Sequence, residues 1–238
     1  MNETYRNQNS KKLFNSNEEE APEIESQNKI EKIKSLADTV LEYANGYMID
    51  TMLYEGFLGI TSPEVLKNLE EVVIDLNYKK DKALGFANYG NGKINFDVEA
   101  FFHHIDPEDK LDFLTAQTIL IYIIFHEFAH HIQENMIKNI LNARFSNNFS
   151  WSEDTADFFA GYMFKQFSED DETEVDIESF TKAIEILLIP EKETDFEGNF
   201  RSIRGHNMNS KRIEIAKEGF LNSRDYQAMV GFFRKSDH

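Results

Sequence analysis

The stretch from Phe113 to Asn135 limits the fold more than any other part of this 238-residue chain. Its first half is almost continuously apolar, with Ile119–Phe125 as the strongest run, and the stretch is long enough for about six helical turns. A helix that is apolar on nearly every side must be surrounded by protein. The sequence therefore predicts a central, buried helix that either opens at Pro107 and Glu108 with Asp106 as its N-cap or is broken before residues 114–117.

Residue periodicity predicts the other elements. Helices are expected at residues 30 to about 46, 151–167, 177–188, 210–221 and 225–233. Strands are expected at 72–76, 84–88 and 93–97, with a turn at 88–92 and the last strand at the edge of the sheet. An acidic run at 169–178 is expected to form a solvated loop. The predicted fold class is α+β, mainly helical with a small sheet.

Composition sets the domain organisation. Residues 1–28 are rich in Asn, Ser, Glu and Gln and carry no apolar face, which predicts a disordered acidic and polar tail; the alternative is a short pro-segment or partner-binding arm. The remaining residues, 29–238, are expected to form one domain, because a chain of this length with 41% hydrophobic residues supplies one sizeable core.

Charge and residue usage exclude several classes of function. The net charge of −18 repels phosphate backbones, so nucleic acid is not expected as a partner. The absence of cysteine excludes disulfides and thiolate metal sites. No apolar leader is visible, and no run approaches the roughly 20 apolar residues of a membrane span. The expected location is therefore cytoplasmic.

The central helix carries His126-Glu127-Phe128-Ala129-His130. Residues four apart lie about 40° apart around a helix and about 6 Å along it, so His126 and His130 point the same way. Glu127 lies about 100° round from His126 and can reach a metal-bound water without ligating the metal. This is the geometry of the H-E-x-x-H zinc motif. The structural alternative is a set of core polar groups, which would be costly to bury without partners.

A second helix offers a third ligand. Glu153 and Asp157 are also four residues apart, so they share one face. One carboxylate can ligate zinc while the other accepts the second ring N–H of a ligand histidine. We predict Glu153 as the ligand and Asp157 as the partner of His126. Two surface acids on a helix are the alternative, and Asp154 or Asp157 is the substitute ligand if Glu153 fails.

Other polar residues fit this site less well. Glu134 lies about 12 Å along the helix axis from His126, too far to complete the same site. His131 points about 140° away from His126 and is assigned to packing or the surface. Gln133 and Met136 stand where the metzincin class needs glycine and histidine, which rejects that class.

Three segments together resemble the gluzincin branch of zinc peptidases: His126–Gln133, Glu153–Gly161 and His206–Ile213. The resemblance is closest to the neutral zinc metallopeptidase family and more distant to the prenyl-protease-like membrane peptidases. It covers roughly residues 84–221. The family usually has a cysteine within its Glu-x-x-x-Asp segment, and this chain has none.

The resemblance implies a zincin-like domain with one Zn²⁺ per chain that hydrolyses a peptide or protein substrate. Glu127 would be the general base. The strand at the start of Lys93–Phe102 would bind the peptide by strand addition. His206 is the candidate oxyanion donor, and Arg212 would anchor its loop by pairing with an acid. Further candidates for the oxyanion are Arg201, Arg204 and Tyr162.

Two other functions are consistent with a zinc site. The first is a zinc-containing protein-binding module with little or no turnover, against which the intact Glu127 argues. The second is an acidic interaction protein with structural zinc, which would require a fourth protein ligand that the sequence does not supply. The substrate, its cleavage site and the oligomeric state are not predicted.

Overall fold

The structure of the protein is a computed structural model. It describes eight stretches of the chain: residues 22–48, 72–79, 86–90, 92–106, 110–140, 149–170, 175–188 and 209–234. The helices in these stretches are α1 (Pro22–Tyr47), α2 (Val98–Ile105), α3 (Phe113–Ile140), α4 (Phe149–Asp170), α5 (Ile177–Leu187), α6 (Asn209–Leu221) and α7 (Tyr226–Arg234). The strands are β1 (Val73–Asp75), β2 (Ala87–Gly90) and β3 (Lys93–Phe96). The described part is mainly helical with one small sheet, in agreement with the predicted α+β class.

Helix α3 is the centre of the fold. Every residue from 116 to 129 is buried, because α1, α4 and α5 and the strands β2 and β3 all pack on this helix. A helix with apolar side chains on all sides needs such a surround. The predicted central helix is therefore confirmed.

The start of this helix predicted at Pro107 is wrong, and the helix begins instead close to the alternative break before residue 114. Asp106 ends α2, where its backbone N–H donates to Phe102, and α3 begins at Phe113. Its first turn is capped by Asp112, whose carboxylate accepts hydrogen bonds from the backbone N–H of Thr115 at 2.9 Å and from the Thr115 hydroxyl at 2.6 Å. The reason is that α2, which was not predicted, occupies the preceding segment, so a later aspartate meets the free N–H groups of α3.

Strand β3 is the middle strand of the sheet, so its predicted place at an edge is also wrong. It pairs in parallel with β1 and antiparallel with β2, and Ile94 stands between Ile74 and Tyr89. Alternation along a strand reports which side chains are buried and not which strands lie beside it. Strand β2 reaches Gly90, and the chain reverses through Gly92, whose φ of 74° suits glycine.

Two glycines bring α4 and α6 into backbone contact. A Cβ atom added to Gly161 would lie 1.9 Å from the carbonyl oxygen of Ala216, and one added to Gly219 would lie 1.9 Å from that of Phe158. Both distances are far below contact, so only glycine permits this approach. The contact places the first turn of α6 against the first half of α4.

Helix α1 covers α3 on a further side. It buries Ile33, Leu36, Ala37 and Val40 and begins at Pro22, so the predicted boundary at residue 28 falls inside a helix. The reason is that Glu, Gln and Lys are good helix formers, so a helix can extend into a segment that has no apolar face. Residues 1–21 lie outside the described stretches. Within those stretches, none of the helices combines the length and apolarity that crossing a membrane requires.

Candidate metal centre

The two histidines of the central helix face the second acidic helix. Nε2 of His126 and Nε2 of His130 are 3.2 Å apart. The carboxylate of Glu153 in α4 lies across from them, with Oε2 3.3 Å from His126 Nε2 and Oε1 3.5 Å from His130 Nε2. The structure thus brings together the three residues predicted as ligands, and this cluster could hold a metal ion.

The spacing of these donor atoms can be compared with that of a bound cation. Bonds of about 2.0–2.1 Å in a tetrahedral zinc site separate neighbouring ligand atoms by roughly 3.3–3.4 Å. The nearest separations between the two Nε2 atoms and the Glu153 carboxylate run from 3.2 to 3.5 Å, and the two distances to Glu153 involve different oxygens. Two imidazole nitrogens at this distance repel through their lone pairs unless a proton or a cation lies between them. Donor types and spacing therefore fit a tetrahedral cation of the size of zinc, with three of its four positions supplied by the described residues.

Asp157 of α4 lies behind His126 and is fully buried. Its Oδ1 accepts a hydrogen bond from the Tyr122 hydroxyl at 2.6 Å, and Nδ1 of His126 lies 2.9 Å from the same oxygen at an angle that does not make a regular hydrogen bond. Arg212 of α6 donates to both oxygens, at 2.8 and 2.9 Å, and its Nη2 lies 3.5 Å from Glu153. Asp157 thus lies beside His126 as predicted, but without the regular hydrogen bond expected from the ring N–H, and Arg212 pairs with an acid as predicted.

Charges around the cluster favour the binding of a cation. Burial lowers the pKa of His126, but its contacts with Asp157 and Glu153 outweigh burial and raise that pKa to about 10. Burial raises the pKa of Asp157, and the neighbouring Arg212 and His126 outweigh it and lower that pKa to about 2. Ionised carboxylates thus surround a position where a proton and a metal ion would compete.

His130 has a partner that the sequence did not reveal. Its Nδ1 lies 2.9 Å from Oε1 of Gln133, one turn further along α3. Tyr122, one turn before His126, was missed as well. An amide and a phenol are not expected near zinc by type, but both residues lie three or four positions from a ligand histidine, and this spacing is the signal that could have found them.

Glu127 follows His126 on α3 and has only 8% of its surface exposed. A step of one residue turns by about 100° around a helix, so Glu127 flanks the cluster and is not one of its three members. This position suits a carboxylate that acts beside a metal without ligating it.

Two other polar residues of α3 face the sheet. Nδ1 of His131 lies 2.9 Å from the Tyr89 hydroxyl, and His131 is buried. Burial and a hydrogen bond to Glu134 raise the pKa of that tyrosine. His131 therefore serves packing, as predicted, and Tyr89 ties β2 to the helix that carries the histidines.

The predicted oxyanion donors are not brought to the site by the described part of the structure. His206 lies outside the described residues, so its assignment stays a prediction, and the same holds for Arg201 and Arg204. Tyr162 is buried in the core, with its hydroxyl 3.1 Å from that of Tyr47. A tyrosine engaged in this way is not available to a substrate.

The site is assembled from three helices. Helix α3 contributes both histidines, α4 contributes Glu153 and Asp157, and α6 contributes Arg212. Comparison of this chain with protein-family profiles, with characterised proteins and with solved structures gives no match. The residues and distances of this site therefore indicate its function.

Proposed function

We propose that this protein is a zinc metalloendopeptidase with His126, His130 and Glu153 as ligands and Glu127 as the general base. The observation that carries the proposal is the meeting of His126 Nε2, His130 Nε2 and the Glu153 carboxylate, whose nearest atoms lie 3.2–3.5 Å apart, close to the ligand spacing of a tetrahedral zinc site. A glutamate directly follows the first histidine, as hydrolysis requires. The resemblance to gluzincins and a zincin-like fold belong to the same proposal.

The residues of the chain divide the chemistry between them. Zinc, when bound, supplies polarisation of the scissile carbonyl and a water of lowered pKa. Glu127 accepts the proton of that water and donates it to the leaving nitrogen. Asp157 holds the ring of His126, and Arg212 balances the charge of the buried carboxylate. His206 is the proposed donor to the oxyanion.

Strand β2 is the strand that we assign to substrate binding in place of β3. It is an edge among the described strands and packs on α3, where Tyr89 contacts His131. An extended peptide could hydrogen-bond to the free backbone groups of such an edge. Tyr89 fixes this strand to α3 through His131, so the edge would keep a constant distance from the ligands.

Metal analysis and cleavage assays on the Glu127→Gln variant test the proposal. The amide nearly preserves the shape of the side chain but cannot accept the proton of the water. We expect one zinc per chain in both the wild type and the variant, with cleavage of a peptide library by the wild type lost on chelation and lost in the variant. Glu185→Gln, the same change at an exposed position of α5, is the control and should behave as wild type.

Two results would redirect the proposal. Zinc binding without any cleavage by the wild type would favour the protein-binding module. X-ray absorption spectra that show bound zinc with four protein ligands would favour a structural site. Substantial zinc-dependent cleavage by Glu127→Gln would remove Glu127 from the role of base.

A further inference from the structure

We propose that Gln133 is a positioning residue for metal binding: its side-chain carbonyl fixes the tautomer and orientation of His130. This inference rests on the proposed zinc site. The carrying observation is the distance of 2.9 Å between Nδ1 of His130 and Oε1 of Gln133, while Nε2 of His130 faces His126 and Glu153.

The tautomer decides whether His130 can serve as a ligand. A neutral imidazole carries one N–H, and the other nitrogen holds the lone pair that binds a metal. An acceptor at Nδ1 keeps the proton there and leaves the lone pair on Nε2, which points into the cluster. If the amide were turned so that its NH₂ faced Nδ1, the proton would move to Nε2 and the ligand would be lost.

The burial of Gln133 makes this contact specific. Its side chain is only 3% exposed, so a water molecule from bulk solvent cannot readily replace the carbonyl. His130 itself is partly exposed, so the buried amide gives its ring a contact on the side away from solvent. The helix places the two residues three positions apart, which lets them meet without help from another element.

The two histidines are held by acceptors of different charge. His126 contacts the ionised carboxylate of Asp157, whereas His130 contacts a neutral amide. Glu127, Glu153 and Asp157 already lie at or beside the site, and Arg212 is the cationic neighbour of Glu153 and Asp157. A neutral acceptor orients the second ring without adding a fourth carboxylate to a buried region.

Zinc affinity measured by competition with a chromophoric chelator tests the inference in full-length protein. Gln133→Met keeps the length of the side chain and removes the acceptor, and we expect it to weaken zinc binding about 10–100-fold. Gln133→Glu keeps an acceptor and should bind at least as tightly as wild type. Gln117→Met is the matched control, because Gln117 is also buried on α3 and lies about 13 Å along the axis from His126; it should bind as wild type.

Nitrogen-15 NMR of the metal-free protein provides a readout independent of affinity and activity. We expect the wild type and Gln133→Glu to show His130 protonated at Nδ1, and Gln133→Met to lose this preference. The His130 signals are assigned by their absence from His130→Asn.

The outcomes separate this inference from the proposed function. A wild type that binds no zinc overturns both. Zinc binding by the wild type, with equal affinity and the same tautomer in Gln133→Met, overturns only the role of Gln133. If Gln133→Met does not fold, a tenfold or greater loss of affinity in Gln133→Glu, or wild-type His130 protonated at Nε2, overturns it.

Discussion

Asp157 has polar contacts with three side chains near the candidate metal centre. Tyr122 and Arg212 donate to it, and His126 lies within 2.9 Å of it. A buried carboxylate is stable only when such partners compensate the loss of water. The residue therefore links the ligand His126 to α6, and its charge is set by groups from two other helices, α3 and α6.

We predict that Asp157→Asn weakens zinc binding by about 10–100-fold without removing it. Asparagine preserves the shape of the side chain, but a neutral oxygen polarises the ring of His126 less and leaves Arg212 without its counter-charge. Chelator competition measures the change. Asp154→Asn is the control, since Asp154 pairs with the exposed Lys211 and is not a member of the metal cluster; an affinity equal to that of the wild type in both variants would reduce Asp157 to a structural acid.

Sequence spacing predicted the ligand residues because helical geometry alone fixes their directions. His126 and His130 share a face for this reason, and so do Glu153 and Asp157. The partners Gln133 and Tyr122 could not be predicted in the same way. Their roles depend on which rotamer reaches a histidine nitrogen, and an i,i+3 or i,i+4 spacing permits that contact without requiring it.

At the scale of elements, the contact between α4 and α6 sets the position of Arg212. Gly161 and Gly219 allow the two backbones to touch, and this approach brings the first turn of α6 to Asp157. Side chains at either glycine would force the helices apart. The distance between Arg212 and Asp157 is therefore controlled by two glycines that do not contact the metal site.

We predict that Gly161→Ala destabilises the fold by about 1–3 kcal/mol, the usual cost of overpacking. The added methyl would meet the carbonyl oxygen of Ala216 at 1.9 Å, so α6 must shift and carry Arg212 with it. Chemical denaturation measures stability, and zinc affinity should fall in the folded variant.

Gly231→Ala is the control for this substitution. It lies within α7, and an added Cβ meets nothing within 4 Å. The same change should there stabilise the protein by about 0.5–1 kcal/mol, because alanine restricts the unfolded chain. A neutral effect of Gly161→Ala would show that α4 and α6 do not depend on this close contact.

Helices with strong periodicity were predicted well. The short helix α2 and the position of β3 between two other strands were not. The helices at α5, α6 and α7 agree with the predicted ranges within one or two residues. Helix α2 was missed because its eight residues follow a strand directly and give only two turns of pattern. The middle position of β3 depends on β1, which pairs with it from outside the hairpin, and local sequence carries no information on that pairing.

For the molecule as a whole, the candidate metal centre is a junction of helices from distant parts of the chain. Helices α3, α4 and α6 meet there, while the chain carries a net charge of −18. A surface of this sign raises the local concentration of cations, including metal ions. A bound cation would stabilise the buried carboxylates at the junction most, since they are shielded from solvent and salt.

We therefore predict that zinc raises the thermal stability of the whole domain. A cation bound by His126, His130 and Glu153 ties α3 to α4, and the unfolded chain cannot offer this arrangement. Free zinc at 100 times its dissociation constant would add about 2.7 kcal/mol. For a chain of this length that corresponds to an increase in Tm of about 5–10 °C.

Calorimetry with and without zinc measures this increase, and Glu153→Ala should abolish it while leaving the metal-free Tm within a few degrees. His104→Ala is the comparison for histidine binding outside the site, because His104 of α2 contacts the Leu187 carbonyl and is not part of the cluster. An equal zinc effect in wild type and Glu153→Ala would place the metal elsewhere. Loss of the effect in Glu153→Ala alone would show that zinc stabilises the fold through this junction of α3 and α4.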